Sequence, residues 1–187
     1  MPDALKLLTT RRSSKPAELA GPGPSAAEIE TLLTIASRVP DHGKLAPWRF
    51  IVFEGEARRA AGAAIAAAFR VKYPDAQADH VDAERNRLLR APLVIAVVSR
   101  AGPHAKIPEW EQVLSAGASA MALEIAAAAL GLASTWLTEW CAYDARFRER
   151  IGLADHERVA GFVHVGRVAN PPEDRARPAL GDIVTYF

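Results

Sequence analysis

A chain of 187 residues, half of them hydrophobic, can bury one full core and fits a single domain, 1–187. Its 23 Lys and Arg stand against 22 Asp and Glu, so it lacks the basic excess on which bulk nucleic-acid affinity depends. One cysteine, Cys141, excludes an internal disulfide and a thiolate metal cluster, and suits a reducing, cytoplasmic setting.

Asp3 to about Thr10 reads as a short helix with Leu5, Leu7 and Leu8 inward. The Leu5–Leu8 patch is too short for the core of a secretory signal. Residues 15–24 hold three prolines and two glycines and predict a loop. Ser25 opens a helix with Glu28 at capping-box spacing, where each side chain satisfies an orphan backbone N–H. Ile29, Leu32, Leu33 and Ala36 follow at helical spacing, and Pro40 stops the run.

Arg49 to Glu54 is a strand candidate, Glu56 to Val71 an Ala-rich helix, and Lys72 to Asp79 a polar connector. Val81 to Arg90 reads as a charged helix ended by Pro92. Leu93 to Ser99 is a continuous apolar run, as expected of a strand covered on both faces. Pro108 suits the first turn of a long helix that Gly131 closes. Its stretch Ser115–Leu132 is rich in Ala and Gly and contains Glu124. It falls short of the ~20 strongly apolar residues a membrane span needs and reads as a buried helix.

Ala133 to Thr138 is a short strand candidate, and Asp144 caps a small helix through Arg150. Arg158 to Val165 is the last clear strand. Residues 169–187 form a C-terminal arm with three prolines and an apolar end at Ile183, Val184, Tyr186 and Phe187. About four strands interleaved with longer helices predict a central mixed sheet packed on both faces.

Three segments could carry chemistry. Arg11-Arg12-Ser13 follows a helix, and guanidinium forks with a hydroxyl match phosphate oxygens. Taken alone, it reads better as a solvated helix end. The loop Arg38 to Phe50 is stiffened by Pro40 and Pro47 and carries His42, Lys44 and Trp48. Trp48 reads as core, whereas His42 and Lys44 sit in a loop, where function concentrates. Gly131 to Thr138 turns a capped helix into a strand beside Trp136, which is either a backbone strip facing a flat ring or ordinary packing. There is no Walker loop, no G-x-G-x-x-G and no G-x-S-x-G. Asp79-His80-Val81-Asp82 lacks a metal signature, and Cys141 reads as structural.

In this order the segments resemble the FMN-dependent nitroreductase family, in its small single-domain bacterial branch of NAD(P)H nitroreductases. The resemblance rests on Arg11-Arg12-Ser13, the block Val39-Pro40-Asp41-His42 through Pro47-Trp48-Arg49-Phe50, and the run 91–95. It continues through Pro108 to Gln112, Gly131 to Thr138 and the aromatic end Val184-Thr185-Tyr186-Phe187. It implies an α+β fold, a three-layer α-β-α sandwich around a mixed sheet, in a domain-extended homodimer with one FMN at each of two interfaces.

On that basis Arg11, Arg12 and Ser13 hold the FMN phosphate. Arg38 and His42 meet the flavin from the partner subunit. Trp136, Leu137 and Thr138 line it, largely through backbone. The helix end Ala126, Ala127, Ala128, Ala129, Leu130 and Gly131 lies near NADH or NADPH. The implied reaction passes hydride to FMN and on to a nitroaromatic, quinone or related small-molecule acceptor by a ping-pong mechanism, with no obligate side-chain acid or base. No nucleic-acid or membrane partner is expected. Many members carry an Asn and a Gln in the second block, where this chain has Lys44 and Ala46, with Lys44 a candidate replacement. Arg175 and Arg177 are further candidates for phosphate contacts. The competing readings are a flavin-binding module without turnover, a different reaction on the same scaffold and, least of all, a small nucleic-acid binder.

Overall fold

The structure, a computed structural model, describes residues 3–187. Helix α1 (Ala4–Thr10) opens on Asp3, whose carboxylate accepts from the Leu5 N–H at 3.0 Å. The expected inward set is only partly found. Leu7 is half-buried while Leu5 and Leu8 are exposed, because among the described residues α1 packs chiefly against α5. Helix α2 (Ala26–Ala36) begins with both bonds of the Ser25–Glu28 capping box and buries Leu32 and Ala36.

The strands are β1 (Trp48–Glu54), β2 (Leu93–Ser99), β3 (Ala133–Leu137) and β4 (Arg158–Gly166), in spatial order β1-β2-β4-β3. Every pairing among the described residues is antiparallel, so the expected mixed sheet is not formed. The long helix α5 (Glu109–Ala129) does return the chain in the direction of β2. It places β3 two positions away, and β4 fills the gap antiparallel to both. Interleaved helices therefore signalled a crossover without a parallel neighbour.

Every residue of β2 is buried. Leu93, Ile95 and Val97 face α2 and α5, in a cluster with Leu32, Ala120 and Leu123. Val94, Ala96 and Val98 face the other layer, where Ile65, Leu88 and Phe147 cover them. That layer holds α3 (Glu56–Lys72), α4 (Ala78–Arg85) and α6 (Ala145–Arg150). The three-layer α+β architecture follows directly.

Two boundaries differ from the sequence expectation. Helix α4 begins three residues before Val81 and ends at Arg85, and residues 87–90 form a separate 3₁₀ turn. The end of α4 presses its Arg85 carbonyl onto Gly62 of α3, where a Cβ would overlap it. Helix α5 has the length and composition of a membrane span, yet its Ala116, Ala120, Leu123 and Ala127 are fully buried. Beyond the bridge between Ala20 and Arg167, the arm runs out through α7 (Leu180–Ile183). Its Leu180, Ile183, Tyr186 and Phe187 are exposed.

Candidate functional site

Helix α1 ends at Arg11, which turns to extended backbone and sends the chain along the open edge of β3. The Ser14 N–H donates to the Ser134 carbonyl at 3.0 Å and fixes the segment there. Arg11 and Arg12 each bury a guanidinium nitrogen, Nη1, that has no hydrogen-bond partner. Arg11 Nη1 lies 3.8 Å from Glu124 Oε2, and Arg12 Nη1 lies 3.9 Å from Asp174 Oδ1. Both are ion contacts, too long for hydrogen bonds. A cleft of about 660 Å³ opens beside them, lined by Arg12, Ser13, Lys15, Glu18 and residues 168–172. A neighbouring cleft of about 450 Å³ is lined by Arg11, Arg12, Ser14, Ala128 and Gly131, among others. Buried cationic donors without acceptors, beside a hydroxyl and a cleft, fit a phosphate.

The end of α5 is the far wall of the second cleft. The structure does not bring the whole segment 126–131 to it. Ala126 and Ala127 have core side chains, and their carbonyls accept the N–H groups of Leu130 and Leu132. Ala128 and Gly131 line the cleft, Ala129 is exposed, and Gly131 takes the left-handed conformation expected of a helix cap, φ +72°.

Strand β3 lies at the sheet edge, so Trp136 and Leu137 keep one row of backbone groups off the ladder. Trp136 donates its indole N–H to the Ala160 carbonyl at 3.0 Å. The indole fills the space over Gly161, where a Cβ would overlap it. Leu137 and Thr138 are half-buried at the strand's end.

The loop after α2 is held from within and from α5. Asp41 accepts from the N–H groups of Leu45 and Ala46 at 3.0 and 2.9 Å. Gly43, Lys44 and Ala46 all take positive φ, the last two at a steric cost that this cap offsets. Ser115 donates to the Pro40 carbonyl at 2.6 Å and accepts from the Trp48 indole at 3.1 Å. Trp48 is thus a half-buried, hydrogen-bonded residue of the site's frame. His42 is exposed, with Nδ1 2.8 Å from Glu111 Oε2. Arg38 and Lys44 are exposed as well.

The predicted residues therefore fall into two groups. Arg11 to Ser13 and Ala128 to Gly131 gather at the C-terminal end of α5, while Trp136 to Thr138 start beside Glu124 and run back along the helix, with the Trp136 indole reaching Gly117. His42 sits at its N-terminal end against Glu111. Thirteen residues of helix separate Glu111 from Glu124, or about 20 Å at 1.5 Å per residue. Arg11, beside Glu124, and His42, beside Glu111, therefore stand towards opposite ends of the helix.

Two features of the candidate site went unrecognised in the sequence. Glu124 is 4 % exposed, and burial raises its carboxyl above the ordinary range while Arg11 opposes. The available signal was that it is the only charge between Ser115 and Leu132, and a lone buried charge needs a partner. Glu139, directly after Thr138, takes φ +54° and is gripped by Arg87 and by Arg90, whose Nη2 lies 2.7 and 2.8 Å from its oxygens. Arg87 also pairs with Glu84, which accepts from the Trp140 indole at 2.8 Å. This network anchors the end of the Trp136–Thr138 strip, and no local motif announces it. Burial pushes the Cys141 thiol up to about 12, so it is no thiolate nucleophile at neutral pH.

Comparison with known proteins agrees along nearly the whole chain. A protein of Haemophilus influenzae named "Putative NAD(P)H nitroreductase" is 39 % identical over 187 residues, covering 99 % of this chain and all of that one. The nitroreductase-like family protein from Bacillus cereus superposes with a TM-score of 0.88 at 23 % identity, over 100 % of this chain and 97 % of that one. The FMN and NADPH-dependent nitroreductase NfnB from sphigopyxis sp. strain HMH superposes with a TM-score of 0.75 at 20 % identity, over 100 % and 99 % of the two chains. The sequence pattern of the Nitroreductase family matches residues 8–167, and this chain belongs to that family.

Proposed function

We propose that this protein is an FMN-dependent NAD(P)H oxidoreductase of the nitroreductase type. It passes hydride from NADH or NADPH to a nitroaromatic, quinone or related acceptor with ping-pong kinetics. The observation that carries the reading is the pair of buried guanidinium nitrogens of Arg11 and Arg12 without hydrogen-bond partners, beside Ser13 and a cleft of about 660 Å³. Family membership supplies the reaction type. FMN, when bound, supplies the hydride-accepting and hydride-donating chemistry.

The chain's own residues bind and orient. Arg11, Arg12 and Ser13 hold the phosphate end. Trp136 to Thr138 present backbone and an aromatic edge to the flavin ring. Ala128 and Gly131 leave a small-residue surface where the reductant can approach closely. No side chain of the site needs to act as a general acid or base.

The active form is a homodimer. Arg11 and His42 lie towards opposite ends of α5, so a two-fold packing along this helix brings His42 and Arg38 of one chain to the Arg11 end of the other. The exposed apolar residues suit this packing. Leu5, Leu8, Trp110, Val113 and Leu114 lie on α1 and α5, and the arm adds Ile183, Tyr186 and Phe187. A reducing cytoplasm suits the buried free Cys141.

The test is the visible absorption spectrum of the purified protein, followed by NADH or NADPH without oxygen. A flavin spectrum that bleaches supports the reading. A flavin spectrum that does not bleach leaves a binding module without this activity. A colourless protein that also refuses added FMN overturns the assignment.

A further inference from the structure

We propose that Glu124 is a positioning residue for the Arg11–Ser13 cradle, and that its carboxylate takes up one proton from solvent as a phosphate monoester settles there. This rests on the FMN reading above. The carboxylate is the one charge within an otherwise apolar stretch of α5, yet it is kept 4 % exposed. It is surrounded by the cradle's own parts. Arg11 Nη1 stands 3.8 Å from Oε2, and the Ser13 and Ser134 hydroxyls each stand 3.5 Å from Oε1. The Trp136 backbone N–H faces it from the open edge of β3.

Among these groups Arg11 is the only ionised one. From α1 comes a single cation, from the following segment and β3 only hydroxyls and an N–H. A phosphate dianion at Arg11 would then share that one cation with a buried carboxylate. Like charges held around one partner do not both stay ionised, and the proton goes to the group that is worse solvated. Burial already favours the neutral form of Glu124. Once protonated, it can donate an O–H to a neighbouring serine, and the guanidinium fork of Arg11 turns to the phosphate. When the phosphate leaves, the proton returns to solvent and the carboxylate again holds Arg11 in place.

Linkage fixes the sign. Bound phosphate raises the Glu124 pKa, so cofactor affinity is highest below that range and falls as pH rises through it. Uptake reaches at most one proton per phosphate bound, and each unit of rise amounts to a roughly tenfold loss of affinity across the titration.

Calorimetric titration of the flavin-free full chain with FMN tests this, between about pH 5 and 8.5, in pairs of buffers that differ in ionisation enthalpy. Most of this range lies above the second phosphate pKa near 6, so the ligand is mostly dianionic before it binds. Riboflavin is the phosphate-free control, and Glu124→Gln the variant. The expected result is proton uptake with FMN, none with riboflavin, and none with FMN in Glu124→Gln, whose affinity becomes flat with pH. Equal uptake in Glu124→Gln, or no uptake in the wild type across the range, overturns the proposal while FMN binding keeps the cofactor reading. If Glu124→Gln does not fold, the wild-type difference between FMN and riboflavin decides alone. Failure of FMN to bind at all removes both readings together.

Discussion

Trp136 and Gly161 are cross-strand neighbours that share one volume: the indole of the first occupies the space where the second lacks a side chain. The Nε1–H ends on the Ala160 carbonyl at 3.0 Å, so ring position is fixed by a bond as well as by shape. Gly161→Ala places a methyl group inside the indole. The ring must leave, and the strip Trp136–Thr138 moves with it. The expected cost is about 1–3 kcal/mol of stability, read as a lower urea midpoint with an unchanged m-value. Retained FMN should fall in the same variant. A variant as stable as wild type, with full FMN content, would show that the strip tolerates displacement.

Arg11→Ala removes the one cation beside Glu124 and one phosphate donor. A charge-assisted hydrogen bond of this kind contributes about 1.5–3 kcal/mol. FMN affinity should therefore drop roughly 10- to 100-fold, measured by quenching of flavin fluorescence. The rate per bound flavin should change far less, because Arg11 meets the phosphate and not the reacting ring. A large loss of rate at saturating FMN, with unchanged affinity, would move Arg11 from the phosphate to the chemistry.

His164 sets an acid limit on the fold. It is fully buried in β4, and neither ring nitrogen makes a hydrogen bond of ordinary geometry. Burial, reinforced by the Arg90 guanidinium, pushes its pKa down to about 4. An unfolded histidine titrates near 6.5, so the unfolded chain binds the proton first as pH falls. The neutral ring's contribution is fully present above about 6.5 and is lost as pH falls from there towards 4, on the order of 3 kcal/mol in all. His164→Leu keeps roughly the volume and removes the titrating ring. The urea midpoint of this variant should decline less between pH 6.5 and 4 than that of wild type. Parallel declines would mean that carboxylates alone govern the acid limb.

Local chemistry made much of this legible. The Ser25–Glu28 box, the Asp144 cap and the all-apolar run Leu93–Ser99 fall where their residues place them, since each is decided within a few positions of sequence. The sheet's direction was not legible, because strand β4 enters between β2 and β3 only after the chain has left both. The leucines of α1 carry a helical apolar pattern, yet among the described residues only Leu7 of the three is half-buried. At the site, Arg11 to Ser13 and Trp136 to Thr138 were readable as donors and a strip. Their common backing by Glu124 and Glu139 was not, because those contacts join residues 111 apart and about 50 apart. No periodicity carries information over such separations.

The division of the site between subunits gives the last prediction. If each site takes Arg11 from one chain and His42 from the other, Arg11→Ala and His42→Ala homodimers are both impaired at both sites. In a mixed dimer the two lesions fall in one site, and the other is wholly wild type. Random reassortment of equal amounts makes half of the dimers mixed, so about a quarter of all sites are restored. Refolding the two variants together should therefore recover tight FMN binding and turnover that neither shows alone. If instead each site were built within one chain, every site would carry one lesion and mixing would recover nothing. The roughly 20 Å of helix between Glu111 and Glu124 favours the shared arrangement, and the recovered fraction measures it directly.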